Sequence, residues 1–289
     1  MLKLGIIGKK DKKEVFEITR DLCKWLEDRD IEYYLDQRLA QAISSEKSAV
    51  KKDIPKLVDV VVVLGGDGTF LSVSRLLKDY ETPILGVNLG GLGFLTEFTV
   101  DELFPIMEKI IKGDFETEKR GMITSKVVRE NKQIGKYAVL NDLVINNGPV
   151  SRIVDLAIYI DGSHITTFKA DGIIFSTPTG STAYSLSAGG PIVYPTLPVI
   201  VITPICPHIL TNRPLVVSSE RDIRVKVLTD IQNTYLTLDG QIGITLYQDD
   251  EILLKSSDDF VNLIKSPFRD YFSILKTKLM WGERYGSLS

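Results

Sequence analysis

One acidic residue stands out because glycines surround it and a buried strand precedes it. Residues 60–64 are continuously apolar, which indicates a strand buried on both faces. The residues that follow it are Gly65, Gly66, Asp67, Gly68 and Thr69. Ligands of open α/β sheets bind at the carboxyl ends of strands, and glycine N–H groups before a helix favour phosphate. An acid would repel phosphate, so the pattern predicts that Asp67 is a general base or a partner of magnesium.

A second chemically suggestive segment follows a predicted strand that ends at Ser176. Seven Ser or Thr residues lie within residues 176–187. Small hydroxyl side chains let a ligand approach the backbone and provide adaptable hydrogen-bond donors. Tyr184 lies among them and can stack on a base or pack on a ribose. Residues 182–188 favour a short helix facing a ligand, which Pro191 would end.

Alternating strands and helices must position the first of these sites. The pattern predicts strands at residues 2–7, 31–35, 58–64 and 83–87, and helices at residues 12–28, 70–78 and 103–111. Such alternation is typical of a parallel sheet with helices on its faces. We therefore expect an N-terminal Rossmann-like α/β domain over residues 1–115.

The character of the sequence changes near Gly113, after which short strands and turns predominate. Asp161-Gly162 and Asp239-Gly240 each separate two strand-like runs, which predicts two hairpins. We expect a β-rich, β-sandwich-like domain over residues 116–265, and therefore an overall fold class of α/β plus mostly-β. Residues 266–289 form a C-terminal segment, helical or extended, that we expect to pack back on the first domain.

Composition excludes several classes of protein. The 289 residues are 44% hydrophobic and 25% charged with a net charge of −3, which does not favour nucleic-acid binding. No apolar run approaches the roughly 20 residues of a membrane span, and the N-terminus reads as a strand and not as a signal peptide. Two unpaired cysteines, Cys23 and Cys206, are typical of a cytoplasmic protein. With two histidines, any metal is expected to be a hard cation bound by oxygen.

Taken together, these motifs resemble those of the NAD kinase family. The resemblance rests on the order and spacing of the segments at 65–69, 141–142 and 171–191, and it covers nearly the whole chain. The long third segment is highly specific, whereas diacylglycerol kinases, sphingosine kinases and phosphofructokinases carry glycine-aspartate loops related to the first. The resemblance implies transfer of the ATP γ-phosphoryl group to the adenosine-ribose 2′-hydroxyl of NAD, giving NADP, at a site between the two domains.

The resemblance also assigns roles to particular residues. Asp67 corresponds to the proton acceptor, and Gly65, Gly66, Gly68 and Thr69 correspond to the loop that holds the donor phosphates. Asn141 and Asp142 correspond to an Asn-acid pair that holds the ribose hydroxyls, although most family members have glutamate where this chain has Asp142. The other positions that match contacts to NAD are Gly68, Ser72, Arg152, Lys169, Asp171, Thr182, Ala183, Tyr184, Ser185, Leu186, Ser187 and Gln241.

The expected partners are NAD, NADP and ATP, with a divalent cation, most simply Mg²⁺, as cofactor and no direct protein ligand assigned to it. Family resemblance further implies a homo-oligomer, a dimer or a tetramer, and whether a neighbouring subunit completes the site stays open. Polyphosphate as donor and NADH as acceptor stay open, as do two other functions. A lipid or sugar kinase would share the glycine-aspartate loop, and a non-catalytic NADP sensor would bind the dinucleotide without consuming ATP.

Overall fold

Strands and helices alternate through the first 119 residues, as the hydrophobic pattern predicts. The computed structural model describes residues 2–9, 12–148, 153–209, 211–229 and 234–281. The elements of this first unit are β1 (Lys3–Gly8), α1 (Lys13–Glu27), β2 (Glu32–Asp36), α2 (Gln37–Ile43), β3 (Ser48–Ala49), α3 (Ile54–Leu57), β4 (Val60–Leu64), α4 (Asp67–Leu77), β5 (Ile84–Val87), a 3₁₀ turn (Val100–Glu102) and α5 (Leu103–Ile111).

The five strands of this unit form a parallel sheet in the order β3-β2-β1-β4-β5. Chain order reverses direction between β1 and β4, which makes their carboxyl ends a topological switch point where α/β proteins bind ligands. β4 is fully buried, since its side chains face helices on both sides of the sheet. Its end at Leu64 accepts a hydrogen bond from the amide of Lys9, which follows β1, at 2.8 Å.

A single hydrophobic core closes one face of the sheet. Helix α1 contributes Val15, Leu22 and Leu26, which pack with strand residues such as Leu4 and Val62. These helix positions lie on one face at the spacing of an amphipathic helix. Burial of this stripe, together with that of α5, fixes the sheet that ends in the glycine-aspartate loop.

The second unit, residues 120–260, consists mainly of antiparallel strands. Its elements are β6 (Thr117–Arg129), β7 (Lys132–Val139), β8 (Asp142–Asn147), β9 (Val154–Ile160), β10 (Ser163–Ala170), β11 (Gly172–Ser176), a 3₁₀ turn (Thr179–Thr182), α6 (Tyr184–Ser187), β12 (Val199–Ile205), β13 (Leu215–Ser218), β14 (Ile223–Val227), β15 (Thr234–Leu238), β16 (Ile242–Leu246) and β17 (Glu251–Ile264). β6 begins, and β17 ends, in the first unit.

Two layers of strands make this unit a β-sandwich. One sheet has the order β13-β12-β11-β8-β15-β16, and the other layer contains β10-β9-β14 with the first residues of β17 beside β14. Alternate residues of both layers, among them Ile145, Phe175, Ile158 and Val225, share one buried cluster. The fold class predicted from the sequence, α/β plus β-sandwich-like, is confirmed. Asp161 and Asp239 occupy the left-handed backbone region that their hairpin turns require.

The chain returns to the first unit after β17. Leu263 pairs in parallel with Ile84 of β5, and helix α7 (Tyr271–Leu279) follows, with Asp270 as its N-cap. The described residues from 261 to 281 group with those before residue 120 as one unit. Within the described residues, no helix has the length and apolar character needed to cross a membrane.

Asp36 generates a stability prediction for the first unit. Its Oδ1 accepts the amides of Arg38 and Leu39 at the start of α2, and its Oδ2 accepts the amide of Gly8 at the end of β1. Removal of these acceptors leaves buried donors unpaired, so Asp36→Ala should cost about 2–3 kcal/mol. Urea unfolding measures this cost. The exposed cap of α7 is the control, because Asp270→Ala leaves no buried donor unpaired and should cost clearly less; equal costs would contradict the argument.

Candidate functional site

The glycine-aspartate loop connects β4 directly to the first turn of α4. Helix α4 begins at Asp67, three residues before the start predicted at residue 70, so the aspartate is itself the first helical residue. The sequence did not indicate this start, because Gly66 and Gly68 flank Asp67 and glycine is a weak helix former. A carboxylate in the first turn is favoured by the helix dipole. At Gly65 a Cβ atom would lie 2.6 Å from Thr69 Oγ1, so the tight turn requires glycine there.

Asp67 is held by the loop that follows the neighbouring strand β5. Its Oδ1 accepts the amides of Leu95 and Thr96 at 3.1 and 3.0 Å and the hydroxyl of Thr96 at 2.8 Å. Its Oδ2 accepts the amide of Phe94 at 3.0 Å. These donors explain how an acid is accommodated among the glycines of this loop, a structural role that the sequence did not predict. Oδ2 accepts one of these bonds and therefore has acceptor capacity for a substrate hydroxyl.

Three residues of that second loop complete the support of Asp67. Asn88 Nδ2 donates to Thr96 Oγ1 at 2.8 Å, and the Gly93 amide donates to the Thr96 carbonyl at 3.0 Å. A Cβ atom at Gly93 would lie 2.1 Å from Asp67 Oδ1, so only glycine leaves room for the carboxylate. The glycines at positions 90, 91 and 93 are a sequence signal that could have located this loop, but nothing in the sequence marks Thr96.

Ser72 and Gly68 differ in what they offer a ligand. The Ser72 hydroxyl donates to the Thr69 carbonyl at 2.7 Å and accepts from Lys51 Nζ at 3.0 Å, so local partners already occupy it. Gly68 is exposed, and a Cβ atom there would meet nothing within 4 Å. The backbone around Gly68 is thus open to an approaching phosphate.

In the second unit, four of the predicted NAD-contacting residues line one cavity of about 340 Å³. These four residues are Asn141, Asp142, Ala183 and Tyr184, and the rest of the lining comes from Val144, Asn146, Thr237, Asp239 and Gly240. Tyr184 is 44% exposed, which leaves this aromatic residue accessible to a ligand. The cavity therefore combines an aromatic surface with convergent polar groups, as small-molecule sites do.

Asp239 orients the Asn-Asp pair from the turn between β15 and β16. Its carboxylate accepts the amide of Asn141 at 2.8 Å and that of Asp142 at 3.3 Å, and its own amide donates to the Asp142 carbonyl at 2.9 Å. Asn141 Oδ1 is buried, and no hydrogen-bond partner reaches it from the described part of the chain. A buried acceptor of this kind is costly unless a ligand satisfies it. The sequence signalled only a turn at Asp239, and its anchoring role was missed.

Asp142 has an unusual protonation state for an aspartate. Burial first, and the carboxylate of Asp239 second, raise its pKa from an ordinary 3.8 to about 7. Below pH 7 the side chain is therefore a neutral acid, which can donate a hydrogen bond as well as accept one.

The hydroxyl-rich segment is mostly engaged in internal hydrogen bonds. Ser185 Oγ is buried and bonds to Thr203 Oγ1 at 2.9 Å, and Thr182 Oγ1 donates to the Thr179 carbonyl at 3.3 Å. The short helix predicted over 182–188 is present as α6 (Tyr184–Ser187), and a separate 3₁₀ turn (Thr179–Thr182) precedes it, with Ala183 between the two. Leu186 is half-buried and Ser187 is exposed, so the segment offers mainly its tyrosine ring and backbone.

The remaining predicted contacts lie outside the lining of this cavity. Asp171 is half-buried between β10 and β11, and its amide donates to the Ile205 carbonyl at 3.0 Å. Lys169 is exposed and pairs with Asp155 at 3.8 Å. Gln241 is exposed beside the Asp239-Gly240 turn, where its amide donates to the Leu238 carbonyl at 2.9 Å. Arg152 lies outside the described residues.

Comparisons with known proteins find the same family over almost the entire chain. The model of the ATP-NAD kinase N-terminal domain matches residues 4–115, and that of the C-terminal domain matches residues 140–266. A protein named NAD kinase from Syntrophotalea carbinolica is 47% identical, and another from Geotalea daltonii is 48% identical; each alignment covers 98% of this chain and 100% of the relative.

Two solved structures extend this similarity to three dimensions. Yeast NADH kinase in complex with NADH has a TM-score of 0.91 and 27% identity, covering 100% of this chain and 90% of its own. An NAD kinase from Archaeoglobus fulgidus in complex with ATP has a TM-score of 0.78 and 25% identity, and the alignment covers 96% of this chain and 99% of that kinase.

Asp142 generates a prediction about pH and stability. Because its pKa is raised in the folded state, the folded protein binds more protons than the unfolded chain between pH 4 and 7, and stability falls as pH rises through that window. Asp142→Asn removes the titrating group and with it this loss. The free energy of unfolding of the variant minus that of the parent should therefore be larger at pH 8 than at pH 4, by up to about 4 kcal/mol. Urea unfolding at several pH values measures the difference.

Asp161 is the matched control, since the bond from Arg221 lowers its pKa. A carboxylate with a lowered pKa stabilises the folded state at pH values above its ordinary pKa. Relative to the parent, Asp161→Asn should therefore become slightly less stable as pH rises, which is opposite in sign to the effect of Asp142→Asn. An identical pH dependence of the parent and Asp142→Asn would show that Asp142 does not titrate near 7.

Proposed function

The chain belongs to the ATP-NAD kinase family, and from this membership we infer that it transfers the γ-phosphoryl group of ATP to the adenosine-ribose 2′-hydroxyl of NAD, forming NADP. It is accordingly a phosphotransferase with an alcohol as acceptor. The observation that carries the mechanism is the Asp67 carboxylate, which four donors fix at the start of α4 while Oδ2 accepts only one of them.

Asp67 is proposed as the general base. A secondary hydroxyl is a poor nucleophile at neutral pH, and a carboxylate within about 2.6–3.2 Å can accept its proton as the new P–O bond forms. Orientation of Asp67 by backbone amides means that the carboxylate does not have to be ordered when substrate binds. The remaining requirement of phosphoryl transfer is positioning and charge neutralisation of the phosphates.

The donor phosphates are proposed to lie on the loop of Gly65, Gly66, Gly68 and Thr69. The amides at the start of α4 favour anions, and the open space at Gly68 allows a phosphate to approach the backbone. The exposed position of Gly68 supports this assignment, whereas the internally bonded Ser72 hydroxyl does not favour a direct role for Ser72.

The cavity of the second unit is proposed to bind the nucleoside of NAD. The buried Asn141 Oδ1 can accept a ribose hydroxyl, and neutral Asp142 can donate to one ribose oxygen or accept from another. Tyr184 lines the same cavity and is proposed to stack on the adenine or pack on the ribose. The predicted contacts of Asp171, Lys169 and Gln241 stay proposals for the rest of the dinucleotide.

A divalent cation, most simply Mg²⁺, is proposed as the cofactor. Within the described residues, no group of three His, Cys, Asp or Glu side chains could hold a metal. A cation carried by substrate phosphates and water, as Mg²⁺ usually is, would not need such a group of protein ligands. When bound, the cation neutralises charge on the phosphates. A homo-oligomeric state and a cytoplasmic location are proposed on the family resemblance and the cysteine usage.

Replacement of the base tests the mechanism. Asp67→Asn keeps the size of the side chain but cannot accept a proton, so kcat for NADP formation should fall about 10²–10⁴-fold while NAD still binds. Chromatographic assay of NADP and calorimetry of NAD binding measure the two effects. Asp79→Asn, at an exposed acid beyond the same helix, is the control and should retain full activity.

The outcomes also separate the rival functions. ATP consumption with a lipid or sugar and none with NAD would replace the proposal by another kinase activity. NAD or NADP binding without ATP consumption in the parent protein would identify a sensor. Full activity of Asp67→Asn would leave the reaction in place but remove Asp67 from the base role.

The space around the carboxylate gives a second test. Gly93→Ala places a methyl group against Asp67 Oδ1 and should displace the carboxylate, reducing kcat about 10²-fold. Gly91→Ala is the matched control in the same loop, because its Cβ would meet nothing within 4 Å. Steady-state kinetics of both variants measure the contrast, and equal activities would show that the position of Asp67 is not critical.

A further inference from the structure

The amides that hold Asp67 belong to a loop that the C-terminal segment of the chain holds in turn. Residues 94–96 supply those amides, and Glu97 follows them directly. The Ser266 amide donates to Glu97 Oε2 at 3.3 Å, and Arg269 Nη1 donates to the Glu97 carbonyl at 2.5 Å. Both the side chain and the backbone of Glu97 are therefore fixed by residues that lie about 170 positions away in the sequence.

Arg269 also fixes the next turn of the same segment. Its two terminal nitrogens donate to the two carboxylate oxygens of Glu102, at 2.8 Å for the Nη1–Oε2 pair. Glu102 in turn accepts the amide of Thr99 at 2.9 Å and closes a capping box at the start of the 3₁₀ turn. Burial acts to raise the pKa of Glu102, but the bonds from Arg269 and Thr99 outweigh it and hold the pKa below its ordinary value. The pair is therefore ionised at neutral pH.

Two ring contacts complete the attachment. Phe268 packs edge-on against the fully buried Phe98, with 6.4 Å between ring centroids. Lys278 of α7 lies over the ring of Phe94, with its Nζ 6.0 Å from the centroid. The C-terminal segment thus contacts the loop on both sides of Thr96, which is completely buried.

We propose that Arg269 is a positioning residue for the proton acceptor, because it fixes the segment whose amides orient the Asp67 carboxylate. The inference rests on the proposed function, since it assigns Asp67 the role of base. A guanidinium presents its donors in a rigid plane, so one residue can bond the Glu97 carbonyl and both Glu102 oxygens together. Displacement of a catalytic group by about 1 Å can cost about 10²-fold in rate, so a remote support of this kind has kinetic consequences.

Arg269→Lys tests the proposal. An ammonium group keeps the charge but cannot make all three bonds in one plane, so the loop should loosen. We expect kcat for NADP formation to fall between about 10-fold and 100-fold, with KM for NAD changed by less than about twofold. Glu102→Gln, which weakens the same pair, should shift kcat in the same direction by a smaller factor.

A double-mutant cycle separates positioning from general damage. In an Asp67→Asn background, Arg269→Lys should change the residual rate by less than about twofold, because the group it positions is already inactive. Arg129→Lys is the matched control, since Arg129 makes a similar two-pronged pair with Asp250 in the second unit and should retain full activity. A full kcat for Arg269→Lys, or equal losses in both backgrounds, would overturn the proposal.

Amide hydrogen exchange tests the same inference independently of turnover. Exchange of the amides of residues 94–96 should accelerate in Arg269→Lys and stay at the parental rate in Arg129→Lys. Unchanged exchange at 94–96 would overturn the positioning role even in an active enzyme. Conversely, accelerated exchange in a protein that does not phosphorylate NAD would retain the structural link and refute the proposed function alone.

Discussion

The carboxylate of Asp67 and the amides of residues 94–96 form the interaction on which the first unit's functional loops depend. An ionised carboxylate at the end of a buried strand is costly unless donors replace its lost water. β4 and β5 are parallel neighbours, so the loops at their carboxyl ends lie side by side and can share one side chain. The orientation of Asp67 is therefore set by the neighbouring loop and not by its own rotamer alone.

A similar arrangement is present in the second unit, where the carboxylate of Asp239 accepts hydrogen bonds from the amides of Asn141 and Asp142. The left-handed backbone of Asp239 turns its carboxylate back toward the start of β8. In doing so it brings one acid close to another, and burial of the pair raises the pKa of Asp142. A residue that is neutral below pH 7 can donate a hydrogen bond as well as accept one.

The sequence predicted what depends on local pattern and failed where partners are distant in the chain. The apolar run at 60–64 and the Asp161-Gly162 turn are local signals, and both predictions are confirmed. The predicted start of α4 at residue 70 was wrong. The glycines beside Asp67 weaken the helical signal in the sequence, whereas the helix dipole favours a carboxylate in the first turn. The hydroxyls of residues 176–187 suggested ligand donors, but Ser185 of α6 bonds to Thr203 of β12, a partner that the local sequence pattern does not reveal.

The order of the chain gives a final constraint on the proposed catalytic loop. Residues 120–260 form their own unit between two parts of the first, so the first unit contains both ends of the described chain. Leu263 pairs with β5, and Ser266 and Arg269 bond to Glu97 just beyond it, so these late residues brace the strand and loop that hold Asp67. All five strands of the parallel sheet lie within the first 119 residues. The contacts that hold the loop around Asp67, however, come from residues as late in the chain as Lys278. The carboxylate therefore has its full set of supports only when the C-terminal segment has docked.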